Sequence, residues 1–268
     1  RTIDSALSRG ELRGQLTYSP SLSHQMRVAF GISMETMKQD SDVKRNVGIA
    51  ANFTRTETRS FVGLEIPSNI SGALELIPAL RIDTQRSASS LSKSINSTNL
   101  SPRLGFILRQ SQFRLRGNLG RYHRFPNAIE RFGDGLRIAP NPHLAPESGF
   151  LADINLAVPI GNQMQLDLSG FSTHADGLIA MLPTSQRYIR SHNLRDQRIR
   201  GVEAHLKGDI YWFDGSLAYT FLKAEGPQGT HTPGIPTHRV DSSVAVSTHG
   251  FRLSYLPSYQ TQVFLDPD

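Results

Sequence analysis

The sequence of 268 residues contains no cysteine. This excludes a disulfide framework and any thiolate metal site. No apolar run approaches the ~18 residues that a membrane-crossing helix needs, and no segment shows a convincing helical period over three turns. Charge of one sign is not concentrated either. The 29 Lys and Arg outnumber the 23 Asp and Glu to leave +6, but the cations are dispersed, with only short clusters such as Arg195, Arg198 and Arg200. That dispersal argues against nucleic acid as a partner, although the net charge suits an acidic one. The first residues, Arg1 to Leu7, show no charged head followed by an apolar stretch, so no secretory leader is expected there. With 38% hydrophobic and 19% charged residues, the chain is too apolar for disorder. Its mean hydropathy of -0.32 would suit a soluble protein. One membrane class escapes that criterion, the transmembrane β-barrel, in which only every second residue of a strand meets lipid.

What the sequence has is a period of two. Met26, Val28, Phe30 and Ile32 alternate with Arg27, Ala29, Gly31 and Ser33. The same alternation returns at Leu80 and Ile82, at Leu104, Phe106 and Leu108, at Leu115 and Leu119, and at Ile154, Leu156 and Val158. It returns again at Met164, Leu166 and Leu168, at Val202, Ala204 and Leu206, at Leu217, Tyr219 and Phe221, and at Phe251, Leu253 and Tyr255. Strict alternation predicts antiparallel β-structure with one apolar and one polar face per strand, in about 12 to 14 strands. Polar partners on the opposite phase include Arg103, Arg114, Arg116, Asn118, Asp153, Asn155, Asp167 and Glu203. Such a face fits a wet barrel interior and equally the exposed side of a soluble sheet.

The connections discriminate between the two. Short ones are expected at 19–23, 67–71, 111–112, 159–163, 207–209 and 248–250. Long polar ones are expected at 35–59, 83–101, 122–148, 174–197 and 223–237. Short and long alternate strictly. In an up-and-down sheet, alternate connections lie at opposite ends, so one end is tight and the other elaborate, which is the pattern of an outer-membrane barrel. No fixed repeat and no domain boundary is visible, so residues 1–268 read as one unit with no separate second domain.

Chemistry-bearing motifs are sparse. Nine His occur, but the pairs His231 with His238 and His123 with His143 lack compact ligand spacing with acidic partners, so no metal and no cofactor is expected. His174 and Asp176 have no serine elbow to complete a hydrolase site, and no catalytic residue is assigned. Gly133 and Gly135 mark a turn, not a phosphate loop. The long connections are rich in Arg and aromatics: Arg121, Tyr122, Arg124, Arg131, Phe132, Arg187, Tyr188 and Arg190. Guanidinium groups match carboxylate or phosphate geometry and aromatics supply stacking area, so these eight are the candidate contacts for an anionic ligand.

Several of these stretches carry a family resemblance. Arg124-Phe125-Pro126, Glu130 and Gly133, followed by Asn141-Pro142, Leu144 and Pro146-Glu147, resemble the late barrel of TonB-dependent outer-membrane receptors, with Arg and Phe inverted at one position. Gly177-Leu178-Ile179, Asn193, Gly201-Val202-Glu203, Tyr219 and Pro236 with His238-Arg239 continue the resemblance in the same order, and Leu80-Arg81 with Asp83 and Pro102-Arg103-Leu104-Gly105 precede it. The resemblance implies an antiparallel up-and-down transmembrane barrel in a bacterial outer membrane, of about 22 strands when complete, to which this chain contributes the middle-to-late part without a plug domain. It implies uptake of a scarce solute such as a ferric siderophore or similar chelate, with energy from the TonB complex acting through a plug, and no enzyme activity. Outer-membrane lipid and lipopolysaccharide are the further expected partners. The alternatives are a porin or barrel enzyme, and a soluble β-sandwich binding module.

Overall fold

The computed structural model describes residues 3–21, 24–41, 53–90, 92–134, 137–184, 188–194, 197–226, 229 and 235–262. Twelve long or medium strands form the wall. They are β1 (Ile3–Ser21), β2 (His24–Ser41), β3 (Phe53–Glu65), β5 (Leu74–Ser89), β6 (Ser92–Arg109), β7 (Arg114–Arg124), β9 (Glu147–Ile160), β10 (Met164–Asp176), β13 (Gln197–Ile210), β14 (Phe213–Glu225), β15 (His238–Thr248) and β16 (Phe251–Tyr255). They pair antiparallel in that order. Two short strands join the same sheet, β4 (Ser68–Asn69) against β2 and β5, and β17 (Ser258–Gln260) against β15. Between β7 and β9 lie a short helix α1 (Ala128–Phe132) and β8 (Ile138–Ala139). Between β10 and β13 lie β11 (Leu178–Pro183) and β12 (Ile189–Leu194), which with β8 make a separate three-stranded sheet. Among the described residues, β1 and β16 do not meet, so the barrel is not closed.

Each strand sorts its side chains by the two-residue period. The register places Leu12 opposite Ile32, Leu16 opposite Val28, Leu80 opposite Pro102 and Ile82 opposite Leu100, all on one face. That face is uncovered. Leu16 is 66% exposed, Leu104 49%, Val202 53% and Leu217 50%. The buried apolar side chains of the wall are small, such as Ala157, Ala175, Ala224 and Ala245. A sandwich hides its large apolar side chains between two layers, so the sandwich alternative is excluded: here there is one layer and the polarity is inverted. On β14 the apolar-facing positions run Phe213, Gly215, Leu217, Tyr219 and Phe221 without a charge. Eight residue steps at about 3.3 Å give about 26 Å along the strand, or about 20 Å after a tilt of about 40°, close to the apolar band of an outer-membrane barrel.

The tight end is tighter than the sequence indicated in one place and displaced in another. His249 and Gly250 both have positive φ, 46° and 83°, as a two-residue primed turn requires. The turn expected at 207–209 lies instead at Tyr211 and Trp212, because β13 and β14 stay paired down to Ile210 opposite Phe213. At the other end the expected connection 83–101 is not a loop. The ladder continues to Ser89 opposite Ser92, so this stretch is a tall hairpin. The remaining connections also shrink, since β2 runs to Ser41 and β7 to Arg124.

An arginine placed at Leu217, near the middle of the apolar face, is expected to destabilise the folded protein by about 2–4 kcal/mol in a bilayer. Thr220→Arg, on the polar phase, should lack this hydrocarbon penalty. Urea unfolding of the intact protein in lipid vesicles measures both, and equal costs would contradict the assignment of faces.

Candidate functional site

The polar face carries the chemistry. Across β2, β3, β5 and β6 its side chains form a ladder of opposite charges. Glu65 accepts from Arg27 Nη1 at 2.9 Å with one carboxylate oxygen and from Arg103 Nη2 at 3.1 Å with the other. Arg81 pairs with Asp83 at 2.7 Å, and Arg59 with Glu57 at 2.5 Å. Further along the wall, Arg116 donates to Asn155 at 2.9 Å and Asn118 to Asp153 at 3.1 Å. A cleft of about 610 Å³ lies against this face, lined among others by Arg27, Glu65, Arg81, Asp83, Arg103 and Tyr122.

At the loop end the connection between β7 and β9 folds back over the same face. α1 is started by a capping box: Asn127 Oδ1 accepts from the Glu130 amide at 2.8 Å, and the Glu130 carboxylate accepts from the Asn127 amide at 2.8 Å. This satisfies two of the amide donors that a helix start leaves unpaired. The helix ends at Gly133, whose φ of 72° and close neighbours, with Ile138 O only 2.3 Å from where a Cβ would stand, leave room only for glycine. The segment is tied to the wall by Gln85 Nε2 donating to Pro126 O at 2.9 Å and by Arg55 donating to Gly133 O.

A single carboxylate organises this mouth. Glu147 is buried and opens β9. It accepts from Arg124 Nε at 3.0 Å, from the Tyr122 hydroxyl at 3.3 Å and from the Ile179 amide at 3.2 Å. Arg124 completes the hub by donating to Glu130 at 3.0 Å and to Ile179 O at 3.0 Å. Two ion pairs that share Arg124 thus join the end of β7, the start of β9, α1 and β11. A second tie is Asn141, which donates to Ser191 O at 2.7 Å and so links the connection to β12.

Seven of the eight candidate contacts lie among the described residues. Tyr122 lines the cleft, with its hydroxyl on Glu147, and Arg124 is committed to the hub. Arg131 and Phe132 lie in α1, which packs against β3, β8 and β12. Arg131 is only 1% exposed, and burial pushes its guanidinium down from the ordinary value while Glu57 opposes the shift. Tyr188 and Arg190 belong to the β11–β12 hairpin above the wall. Tyr188 O accepts from the Thr184 amide at 2.9 Å, and Arg190 pairs in register with Ala139 of β8. Arg121 departs from the expectation. It lies on β7, on the apolar-facing phase above Leu119, with its guanidinium 6.0 Å from the Phe150 ring. It therefore points away from the mouth. Arg187 lies outside the described residues.

Sequence reasoning missed the acidic members of this face on β3. Glu57 and Glu65 share one phase of that strand, and Glu57 is buried beneath the mouth together with Gln85 of β5. The signal was present in the phase that Glu65 shares with Gly63 and Phe61.

A one-layer antiparallel wall with apolar side chains outside, ion pairs inside, tight turns at one end and a folded mouth at the other defines an outer-membrane β-barrel. The description "TonB dependent receptor-like, beta-barrel" matches residues 5–266, and the chain belongs to that family. It is located in the outer membrane of Gram-negative bacteria. The family is one of receptors and transporters. The fold is similar to that of the FrpB iron transporter from Neisseria meningitidis (F3-3 variant), with TM-score 0.77 and 13% identity over 97% of this chain and 44% of that one. It is similar to the copper transporter OprC, with TM-score 0.77 and 16% identity over 95% and 43%. It is similar also to the siderophore receptor PirA from Acinetobacter baumannii, with TM-score 0.72 and 14% identity over 98% and 44%. The chain thus spans under half the length of these structures. No curated protein matches it in sequence.

Replacing Glu147 by Ala removes the common acceptor of Arg124, Tyr122 and the Ile179 amide. The expected cost is about 1–3 kcal/mol for the buried donors left unpaired, concentrated in the mouth. Hydrogen–deuterium exchange should quicken over residues 125–146 and 178–183 and stay unchanged in β13 and β14. Unaltered exchange at the mouth would show that Glu147 does not hold it.

Proposed function

We propose that this chain supplies wall and mouth to an outer-membrane receptor that takes up a scarce solute, a ferric siderophore or similar chelate. Energy is supplied through the TonB complex acting on a plug domain, and no covalent chemistry is performed. The observation that carries this reading is the coincidence of two features on one face. The wall holds cations in alternation with carboxylates from β2 to β6, and an Arg- and aromatic-containing segment folds over the same face at the loop end. A carboxylate- or phenolate-rich iron chelate is anionic and partly aromatic, and guanidinium and phenol groups bind such surfaces with directional hydrogen bonds and stacking. The contacts we assign are Tyr122, Phe132, Tyr188 and Arg190 at the mouth, with Arg131 buried behind them in α1. Arg124 acts on them through Glu147 as a positioning residue. In the long-loop end of such barrels this face opens to the outside, which puts the mouth where a solute arrives. Outer-membrane lipid and lipopolysaccharide surround the opposite face.

The test is equilibrium binding of ferric citrate, a ferric hydroxamate and a ferric catecholate to the intact receptor in detergent, by calorimetry. At least one chelate should bind, and Arg190→Gln together with Tyr188→Ala should weaken that binding about tenfold, as the loss of one charge-assisted contact and one stacking surface implies. Absence of binding to every chelate, or binding indifferent to both substitutions, would refute the reading.

A further inference from the structure

The three-stranded sheet above the wall keeps an apolar row in a place where water selects polar side chains. Register sets Pro183 opposite Ile189 and Ile189 opposite Ile138, so the three stand side by side across β11, β12 and β8. Met181 lies two residues before Pro183 and shares their face. Met181 is 45% exposed and Ile189 37%. Lipid does not cover them. The outward phase of β10 has already turned polar at Ser172 and His174, and that of β13 at Arg200, so the hairpin that follows Asp176 stands above the hydrocarbon. The tall hairpin of β5 and β6 also rises above the belt, and its outward phase there is polar, with Thr84, Arg86, Asn96 and Thr98.

The row overlooks the mouth. Lower on the same face Ile179 and Ser191 are buried. Asn193, also on this face, donates to Ala145 O at 3.0 Å and accepts from the Ala145 amide at 3.0 Å. α1, which carries Phe132, packs against β12 and β8. The face therefore rests on the mouth segment near its base and opens above it.

A protein strand is a poor occupant, because both edges of this sheet are already engaged. On β11 the Ile179 amide is bound to Glu147 and its carbonyl to Arg124. Pro183 has no amide hydrogen, so an added strand would find a full donor and acceptor pair at Met181 alone. On β8 the Ile138 amide donates to Asp134 Oδ1 at 2.8 Å, and Ile138 O accepts from the Asp134 amide at 3.3 Å. Strand addition needs a run of free backbone groups. A small apolar group needs only surface to cover. The row adjoins Tyr188, Arg190 and Phe132, the contacts assigned to the solute, so it suits the apolar part of a molecule whose chelating head lies at the mouth.

We propose that Met181, Pro183, Ile189 and Ile138 form a seat for an acyl or aryl appendage of the solute, so that the chelate taken up is amphiphilic. This rests on the transport reading and adds the second chemical half of the substrate.

The experiment is calorimetry on the intact receptor held in amphipol, where no detergent micelle competes for an acyl chain. The probes are a ferric hydroxamate and a ferric catecholate, each prepared with an acetyl and with an octanoyl appendage. For at least one head, the octanoyl form is expected to bind about tenfold or more tightly than its acetyl partner, the factor that burial of about two methylenes gives. In the double variant Met181→Ser, Ile189→Thr this advantage should fall to about twofold or less, while Leu182→Ser, on the opposite face of the hairpin, should retain it. If the double variant does not fold, Ile189→Thr alone carries the test, with an expected loss of about threefold in the advantage. Equal binding of the acetyl and octanoyl forms would overturn the seat and leave the transport reading standing. An octanoyl advantage that survives the double variant would also overturn it, since the chain would then lie elsewhere. Binding of no form of either head would remove the transport reading and the seat with it.

Discussion

Everything in this wall depends on the rule that a backbone donor or acceptor facing hydrocarbon must be paired within the protein. A β-sheet obeys it only through continuous inter-strand ladders, and a continuous ladder fixes the phase of every strand relative to the next. A slip of one residue would exchange the two faces of a strand. Between neighbouring strands the pairing here runs for ten or more residues in most cases, and the shifts in register, at Tyr18/Ser21 and Ser87/Ser89, sit at hairpin ends. The phase is therefore carried intact from β1 to β16. That is why Leu16, Leu104 and Leu217, far apart in sequence, belong to one apolar belt, and why Arg27, Glu65 and Arg103 can meet on the other face.

The mouth obeys the same bookkeeping with different means. Once a connection leaves the ladder, its backbone groups need side-chain partners or water. The segment between β7 and β9 folds down onto the wall, where water is limited, and it is supplied with partners at each step. Asn127 and Glu130 cap the helix, Gln85 and Arg55 reach up from the wall to Pro126 O and Gly133 O, and Glu147 receives the Ile179 amide. The half-buried Arg124–Glu147 pair is costly to desolvate and loses most when one partner is removed. Its location at the junction of four elements makes it a fastener. A mouth built this way presents its remaining Arg and aromatic side chains from a fixed frame, which limits the ordering cost of capturing a solute.

The strands of the belt were legible in the sequence because burial in lipid enforces a strict alternation of apolar and polar residues, and that alternation also showed the tight and elaborate ends. Above the belt the signal disappears for a physical reason. There the outer phase no longer meets hydrocarbon, so Thr84, Arg86, Asn96 and Thr98 on that phase are polar beside Asp83, Gln85, Ser97 and Asn99 on the inner one while the ladder continues, and a polar run resembles a loop. The turn at Tyr211 and Trp212 was hidden for the opposite reason. Gly208 and Asp209 are the usual turn residues, but the outward phase of Leu206 and Leu217 holds the ladder past them. For the site, the sequence identified Arg and aromatic residues near the mouth but not their duties. Arg121, Arg124 and Arg131 stand within eleven residues, yet one faces outward, one holds Glu147 and one lies buried in α1. Residue type and proximity in sequence say nothing about phase within a strand whose polar run resembles a loop, or about which side of a short helix is buried, and these decide all three.

The two faces also handle charge differently, and the difference bears on what each face does. Exposed ion pairs contribute at most about 1 kcal/mol each, so the ladder of Arg27, Glu65, Arg103, Arg81 and Asp83 is a poor source of stability. What it does supply is order. Each carboxylate lies between or beside cations and holds long side chains that would otherwise move freely. Arg27 and Arg103 are thereby kept on either side of Glu65 with donors to spare, and the wall shows an alternation of sign in place of one uniform positive field. Such a wall offers an anion attraction at spaced points, where an unbroken row of arginines would hold one fast. The outer face carries no such ladder along its apolar belt, so the same two-residue period that assigns each side chain to one face also separates charge from hydrocarbon on a sheet one residue thick.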